Sequence, residues 1–283
     1  MTEPQIASDY DDRTTAAVKK VLVEMGQVLG SYQGKFAVVG GAVPWLLLDN
    51  PDMPHIGTFD IDLSLHAEAL GDGEYALLIE ALMGAGYEQR TDKRRFQLVR
   101  RVPATAEGPA IDVVVDFLMP RDADVVKNLP PLVADFAVQK ADGADLALKF
   151  YQLVAIDGPM PDGGTNRVEV AVASIPALLA MKGFAIHGRH KQKDAYDIYY
   201  CVRNYPGGAT PLAEACKPLL EVKGGAEGYG RINEKFDTFE GYGPTCARKF
   251  VEEGGALGER SADEWQQDAF GQVDAWLKAL GLR

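Results

Sequence analysis

Two carboxylates next but one, in the run Thr58-Phe59-Asp60-Ile61-Asp62-Leu63, are the residues of this chain best suited to chemistry. In an extended strand side chains alternate between faces, so Phe59, Ile61 and Leu63 turn one way while Asp60, Asp62 and Ser64 turn the other. Two acids on one face offer hard oxygen ligands to Mg²⁺ or Mn²⁺, and such an ion bridges triphosphate oxygens and neutralises charge that builds up during transfer. Upstream, the apolar strand Phe36 to Val39 ends in Gly40-Gly41, which lack the side chains that hold a backbone away from a triphosphate. Ala42 to Leu48 then reads as helix, with Pro44 suited to its first turn, so backbone N–H groups would stand beside the glycines where phosphate is favoured. A Gly-Gly is commonly a plain turn and a D-x-D a solvated edge. In this order, with a strand before each, they point to nucleotidyl transfer from a nucleoside triphosphate.

A two-metal site needs a further carboxylate on a neighbouring strand, and Ile111-Asp112-Val113-Val114-Val115-Asp116-Phe117-Leu118 supplies the strand. Its odd positions are all apolar, which leaves Asp112 and Asp116 on the opposite face with Val114 and Leu118. Either acid could meet the Asp60/Asp62 face.

A Gly-Gly turn, an acid-x-acid strand and a third acid resemble the polymerase-β-like nucleotidyltransferases, whose third-acid strand makes Asp112 the preferred residue; Asp116 then reads equally well as a strand-end acid facing water. A later segment narrows the resemblance. Ala177-Leu-Leu-Ala-Met-Lys182-Gly-Phe-Ala185, then Arg189, then Lys193-Asp194-Ala-Tyr-Asp197-Ile-Tyr-Tyr, looks like the signature of the AbiEii-like nucleotidyltransferases, which include toxins of type IV toxin-antitoxin systems. The resemblance covers about Lys35 to Leu118 and Ile175 to Tyr205. It implies that Asp60, Asp62 and Asp112 hold the metal, that Gly40, Gly41, Thr58, Lys182 and Arg189 approach the nucleotide, and that Asp194 or Asp197 positions the acceptor or serves as general base. The chain departs from the family where His55-Ile56-Gly57-Thr58 keeps the hydroxyl of an Arg-x-Ser/Thr motif and lacks its arginine. Beside these roles stand plainer ones: Lys182 as a surface lysine on an amphipathic helix, Asp194 as the N-cap of a helix beginning near Ala195, and Asp197 as a first-turn acid.

The 283 residues suffice for two domains, and 47% hydrophobic with 25% charged residues describes a soluble globular chain. Met1 to Arg13 is polar and acidic without an apolar core, and no stretch has the length of a membrane span, so a cytoplasmic location is expected with no membrane partner. Three widely spaced cysteines, Cys201, Cys216 and Cys246, fit neither a zinc site nor a disulfide framework and are expected to be reduced structural thiols. A net charge of −12 argues against broad nonspecific nucleic-acid binding. Two local basic clusters run the other way: Arg90, Lys93, Arg94, Arg95, Arg100 and Arg101, and Lys182, His187, Arg189, His190, Lys191 and Lys193. They suit triphosphate and the backbone of an RNA acceptor, or, as charge runs usually do, a solvated face.

To position these residues the sequence predicts a helix over Thr14 to Leu29, another over Glu74 to Met83, strands near Tyr87 to Gln89, Phe96 to Arg101 and Ile111 to Leu118, and a hairpin-like turn at Thr105 to Pro109. Leu146 to Ile156 and Arg167 to Ala173 read as further strands. From Ser174 the pattern becomes helical over Pro176 to His187, Asp194 to Asn204, Pro211 to Val222, Ile232 to Phe239, Thr245 to Glu253 and Ala262 to Leu280, with Lys223 to Gly230 as a glycine-rich connector. The expected architecture is an α/β (α+β) nucleotidyltransferase domain with a short mixed sheet, residues 1–173, and a helical C-terminal domain, residues 174–283, that completes the active-site cleft. The expected reaction moves NMP from an NTP to an acceptor hydroxyl, which the resemblance places on a tRNA 3′ end or a protein side chain, with a cognate antitoxin as partner. The rival readings are an antibiotic nucleotidyltransferase and a catalytically silent nucleotide-binding protein.

Overall fold

A computed structural model describes residues 5–67, 69–70, 73–90, 93–106, 108–123 and 139–283. The chain divides into two compact units, one of Asp12–Val43 with Gly57–Ser174, the other of Met1–Asp11, Pro44–Ile56 and Ile175–Arg283.

The elements of the first unit follow the expected periodicities. In order they are α1 (Asp12–Val28), β1 (Phe36–Val39), the start of α2 (Ala42–Leu47), β2 (Asp60–Leu65), α3 (Glu74–Gly84), β3 (Tyr87–Glu88), β4 (Gln97–Val102), β5 (Ile111–Pro120), β6 (Gln139–Ala141), α4 (Ala144–Lys149), β7 (Tyr151–Pro159) and β8 (Thr165–Ala173). The strands form one mixed sheet in the order β3-β4-β5-β2-β1-β8-β7, with β6 also pairing β5. The central pairs β2/β5 and β1/β8 are parallel, and β1/β2, β4/β5 and β7/β8 are antiparallel.

Alternation decides which face is core. Ile61, Leu63, Val113, Val115, Phe117 and Leu98 are buried, as are Val18, Val21, Leu22 and Met25 of α1, whose spacing makes one helical stripe. α1 packs along this side of the sheet. Gly26 lets it approach closely, because a Cβ there would stand 2.5 Å from Val168 Cγ2. On the other side α4 covers one end, where Ser64 Oγ donates to the Ala144 carbonyl at 2.8 Å.

One sequence expectation changes here. Leu146 to Ile156 is not one strand: Ala144-Asp-Leu-Ala-Leu-Lys149 forms α4 before β7 begins, as suits a run of strong helix formers. At the expected turn Thr105 bridges Gly108, while Glu107 lies outside the described residues.

The second unit carries α5 (Ile175–Gly188), α6 (Gln192–Asn204), α7 (Ala209–Leu220), α8 (Gly225–Lys235), α9 (Tyr242–Glu253) and α10 (Ala262–Leu280). The glycine-rich connector is a correction: most of it lies inside α8. Gly228 is there for close helix packing, since a Cβ on it would lie 2.3 Å from the Ala180 carbonyl oxygen of α5, and one on Gly183 would lie 1.9 Å from the Gly228 oxygen. No helix among the described residues is long and apolar enough to cross a membrane. All three cysteines are free and buried, and burial raises each thiol above its ordinary range, Cys216 to about 11.

Candidate active site

Parallel pairing of β2 with β5 sets Asp60 opposite Val114 and Asp62 opposite Asp116. Residues directly opposed on paired strands share a face, so Asp60, Asp62 and Asp116 converge. One carboxylate oxygen from each lies within 4.8 Å of the others, and all three residues are half-buried. Oxygens that ligate one Mg²⁺ at about 2.1 Å stand at most about 4.2 Å apart. Three hard anionic donors at this spacing therefore suit one divalent ion after slight closure, or two ions side by side, and the donor set fits the metal that the sequence implies.

The structure thus brings Asp116, rather than the preferred Asp112, beside the acid pair. Asp112 stands four residues earlier on β5, about 13 Å along the strand, and its carboxylate is occupied: Arg90 Nη1 donates to Oδ2 at 2.5 Å and Arg101 Nη1 to Oδ1 at 3.3 Å. The cross-strand pairing of Arg101 with Asp112 brings acid and base to one face.

Two further residues shape the triad. Thr58 is buried and donates through Oγ1 to Asp60 Oδ1 and to the Asp60 carbonyl, both at 3.1 Å. Gly40 has φ +72, and a Cβ on it would lie 1.8 Å from Asp62 Oδ2. The antiparallel pairing of Val39 with Asp62 delivers the strand end to this point. Gly41 follows it, half-buried, before α2. α2 has only six residues, less than two turns, so a phosphate here would meet backbone N–H groups more than a developed helix dipole.

The residues implied by the later signature assemble separately, in the helical unit. Lys182 Nζ lies 2.7 Å from Asp194 Oδ1 and 2.7 Å from Asp197 Oδ2. Lys193 Nζ donates to Asp197 Oδ1 at 2.9 Å, and His55 Nε2 lies 3.1 Å from the same oxygen. Arg189 grips Asp194 through Nε at 2.7 Å and Nη2 at 3.0 Å. Lys182, Lys193, Asp194 and Asp197 are all buried, while the Arg189 side chain is 55% exposed.

Burial opposes every charge in this group, and mutual attraction outweighs it. Burial favours neutral Asp194, yet Lys182 and Arg189 hold it at about 2. Asp197 is likewise held well below the carboxylate range by Lys182, Lys193 and the His55 hydrogen bond, despite its desolvation. Lys182, also desolvated, is raised by Asp194 and Asp197. His55 goes the other way: burial, helped by Lys193 and Lys182, lowers it to about 4 against the pull of Asp197. Carboxylates held this low are weak bases, and both are buried. Asp194 engages Lys182 and Arg189, and Asp197 engages Lys182 and Lys193. None of the three plainer readings holds: Lys182 is not a surface residue, the N-cap of α6 is Lys191 with Asp194 in the first turn, and Asp197 lies beyond that turn.

His55 is the member that the sequence reading did not assign. The only signal was its place just ahead of Thr58, since its partner Asp197 lies 142 residues away. The basic clusters are thinner than the sequence suggested. Arg100 is buried against Glu24, with Nε to Oε2 at 2.7 Å, and Lys182 and Lys193 are buried in the group just described.

An open mixed sheet with carboxylates on adjacent central strands, and a helical C-terminal part, is a nucleotidyltransferase fold. The chain belongs to the family described as nucleotidyl transferase AbiEii toxin, type IV TA system, whose model matches residues 58–274. That span holds the three acids, Lys182, Arg189, Asp194 and Asp197, and begins after Gly40 and Gly41. No protein of curated function matches the chain. Among solved structures, the crystal structure of JHP933 from Helicobacter pylori aligns at a TM-score of 0.47 and 11% identity, over 96% of this chain and 95% of that one.

Proposed function

We propose that this protein is a Mg²⁺- or Mn²⁺-dependent nucleotidyltransferase that moves NMP from an NTP to an acceptor hydroxyl, on a tRNA 3′ end or a protein side chain, as the toxin of a type IV pair with a cognate antitoxin. The observation that carries the reading is the convergence of Asp60, Asp62 and Asp116 in a member of a nucleotidyltransferase toxin family. In the reaction the acceptor oxygen attacks the α-phosphorus, the bond to the β-phosphate oxygen breaks, and pyrophosphate leaves.

Asp60, Asp62 and Asp116 would hold the metal, which when bound supplies charge neutralisation to the triphosphate. Thr58 fixes the rotamer of Asp60 through its 3.1 Å hydrogen bond. Gly40 and Gly41 bring backbone, without side chains, up to the carboxylates. Of Lys182, Lys193 and Arg189, the last alone has an exposed side chain, so it is the better phosphate contact. Lys182 acts behind it, neutralising Asp194 and Asp197 so that Asp194 can orient the guanidinium. Arginine suits this role, because a planar fork engages a carboxylate and phosphate oxygens together.

The test is incubation of purified protein with each α-labelled NTP and Mg²⁺, alone, with total tRNA or with an aminoglycoside, and separation of the labelled products beside those of Asp62→Asn. Label entering tRNA or protein in the wild type alone supports the reading and names the acceptor class. Turnover retained in Asp62→Asn refutes the metal assignment. Transfer to an aminoglycoside alone would replace the acceptor with a small molecule, and absence of any transfer would favour a silent nucleotide-binding protein.

A further inference from the structure

The two edges of the sheet are built differently. At one end β3 is a two-residue strand, too short to template a neighbour. At the other, β7 runs nine residues, and its pairing with β8 is unbroken from Tyr151↔Ala173 to Pro159↔Thr165, with no bulge to bend it away. Among the described residues its outer edge meets no strand. The run Tyr-Gln-Leu-Val-Ala-Ile-Asp-Gly-Pro has no lysine or arginine, and its proline stands at the far end. The usual protections of an exposed edge are therefore missing. Tyr151 and Leu153, on one face of β7, are 44% and 51% exposed.

We propose that β7 is a self-association edge, pairing antiparallel with β7 of a second copy of this chain about a two-fold axis at Val154. The strand is complementary to itself in that register. Tyr151 falls opposite Asp157 of the other copy, which sets a phenol hydroxyl against the only charged side chain of the strand. Leu153 falls opposite Ala155, a large residue against a small one, so both leucines are covered without meeting each other. The two Asp157 carboxylates stay at opposite ends of the ladder. Shifting the axis to Ala155 would set Asp157 against Leu153, and shifting it to Leu153 would crowd the two leucines. The pairing satisfies backbone groups that an edge otherwise leaves to water and joins two sheets into one. A closed two-fold contact also ends the growth that a bare edge invites.

The test is sedimentation of the full chain over a concentration series, with Leu153→Lys alongside. A discrete dimer is expected, weakened about tenfold or more by Leu153→Lys, whose exposed position spares the fold; melting curves check that. The register is read separately by oxidation of Leu153→Cys and Ala155→Cys chains, since the natural cysteines are buried. A mixture of the two should cross-link between unlike chains, and each alone should not. A monomer at every concentration, open-ended aggregates, a dimer indifferent to Leu153→Lys, or cross-linking without that pairing rule would each overturn the proposal.

Discussion

The Asp62 carboxylate occupies the space that any side chain on Gly40 would need: a Cβ there would fall 1.8 Å from Oδ2. The glycine therefore matters to the acid pair directly, whatever it does for a phosphate. Its φ of +72 adds a conformational cost to any replacement.

Gly40→Ala should push Asp62 off its rotamer and weaken binding of Mn²⁺ to the triad about tenfold or more, an effect of at least about 1.4 kcal/mol. Gly34→Ala is the matching control. It has φ +81 with open space around the Cβ, so it carries the backbone cost and leaves the triad alone. Calorimetric titration of both variants checks this, and equal metal affinity in the two would show that the contact with Asp62 is unimportant.

Asp116→Asn and Asp112→Asn separate the candidate third acids. Loss of a ligand should reduce metal-dependent activity more than about a hundredfold, beyond what removal of an outer partner of a ligand costs. Asp112→Asn loosens the contacts of Arg90 and Arg101 and should change activity only a few-fold, since partly exposed pairs contribute about 1 kcal/mol or less. Metal titration and transfer assays on the two variants decide it, and the reverse ranking would restore Asp112.

How much of this was legible in the sequence depended on range. The Asp60/Asp62 pair and the strand before Gly40 are local patterns of period two, and they stand as read. The choice between Asp112 and Asp116 was not legible, because both lie on the same face of β5 and only the register with β2 distinguishes them. That register joins residues more than fifty positions apart. The Lys182, Asp194 and Asp197 signature was visible, but a motif does not say whether a lysine faces solvent or two buried carboxylates. The glycines at 224 to 230 read as a connector because glycine lowers helix propensity. The contact of Gly228 with α5 is a tertiary reason that composition does not reveal.

Lys182→Met should be strongly destabilising. It leaves Asp194 and Asp197 buried with one cation fewer, and breaking a buried ion pair by removing one partner costs about 3–5 kcal/mol. Arg189→Met leaves Lys182 in place and removes a half-exposed side chain, so it should cost less stability while lowering transfer. Urea denaturation paired with activity measurements tests this division. If Lys182→Met folds as stably as the parent, the ammonium is not the keystone of the group.

His55 supplies a pH dependence whose sign follows from its burial. The imidazole is lowered to about 4, whereas a histidine in an unfolded chain titrates near 6.5, about the ordinary value. Between these values the unfolded chain binds a proton that the folded chain refuses, so stability rises with pH across that window. The contribution is complete above about pH 6.5, falls as pH drops toward 4, and amounts to something on the order of 3 kcal/mol. Asp194 and Asp197 behave differently: their depressed values protect the fold down to about pH 4, and that contribution is lost as pH falls further, through about 2 for Asp194. His55→Gln keeps a side-chain donor toward Asp197 and removes the titration. Urea unfolding at about pH 7 and about pH 5 should therefore show a smaller loss of stability in the variant than in the parent. Parallel losses in the two proteins would mean that the buried imidazole is not the group refusing the proton.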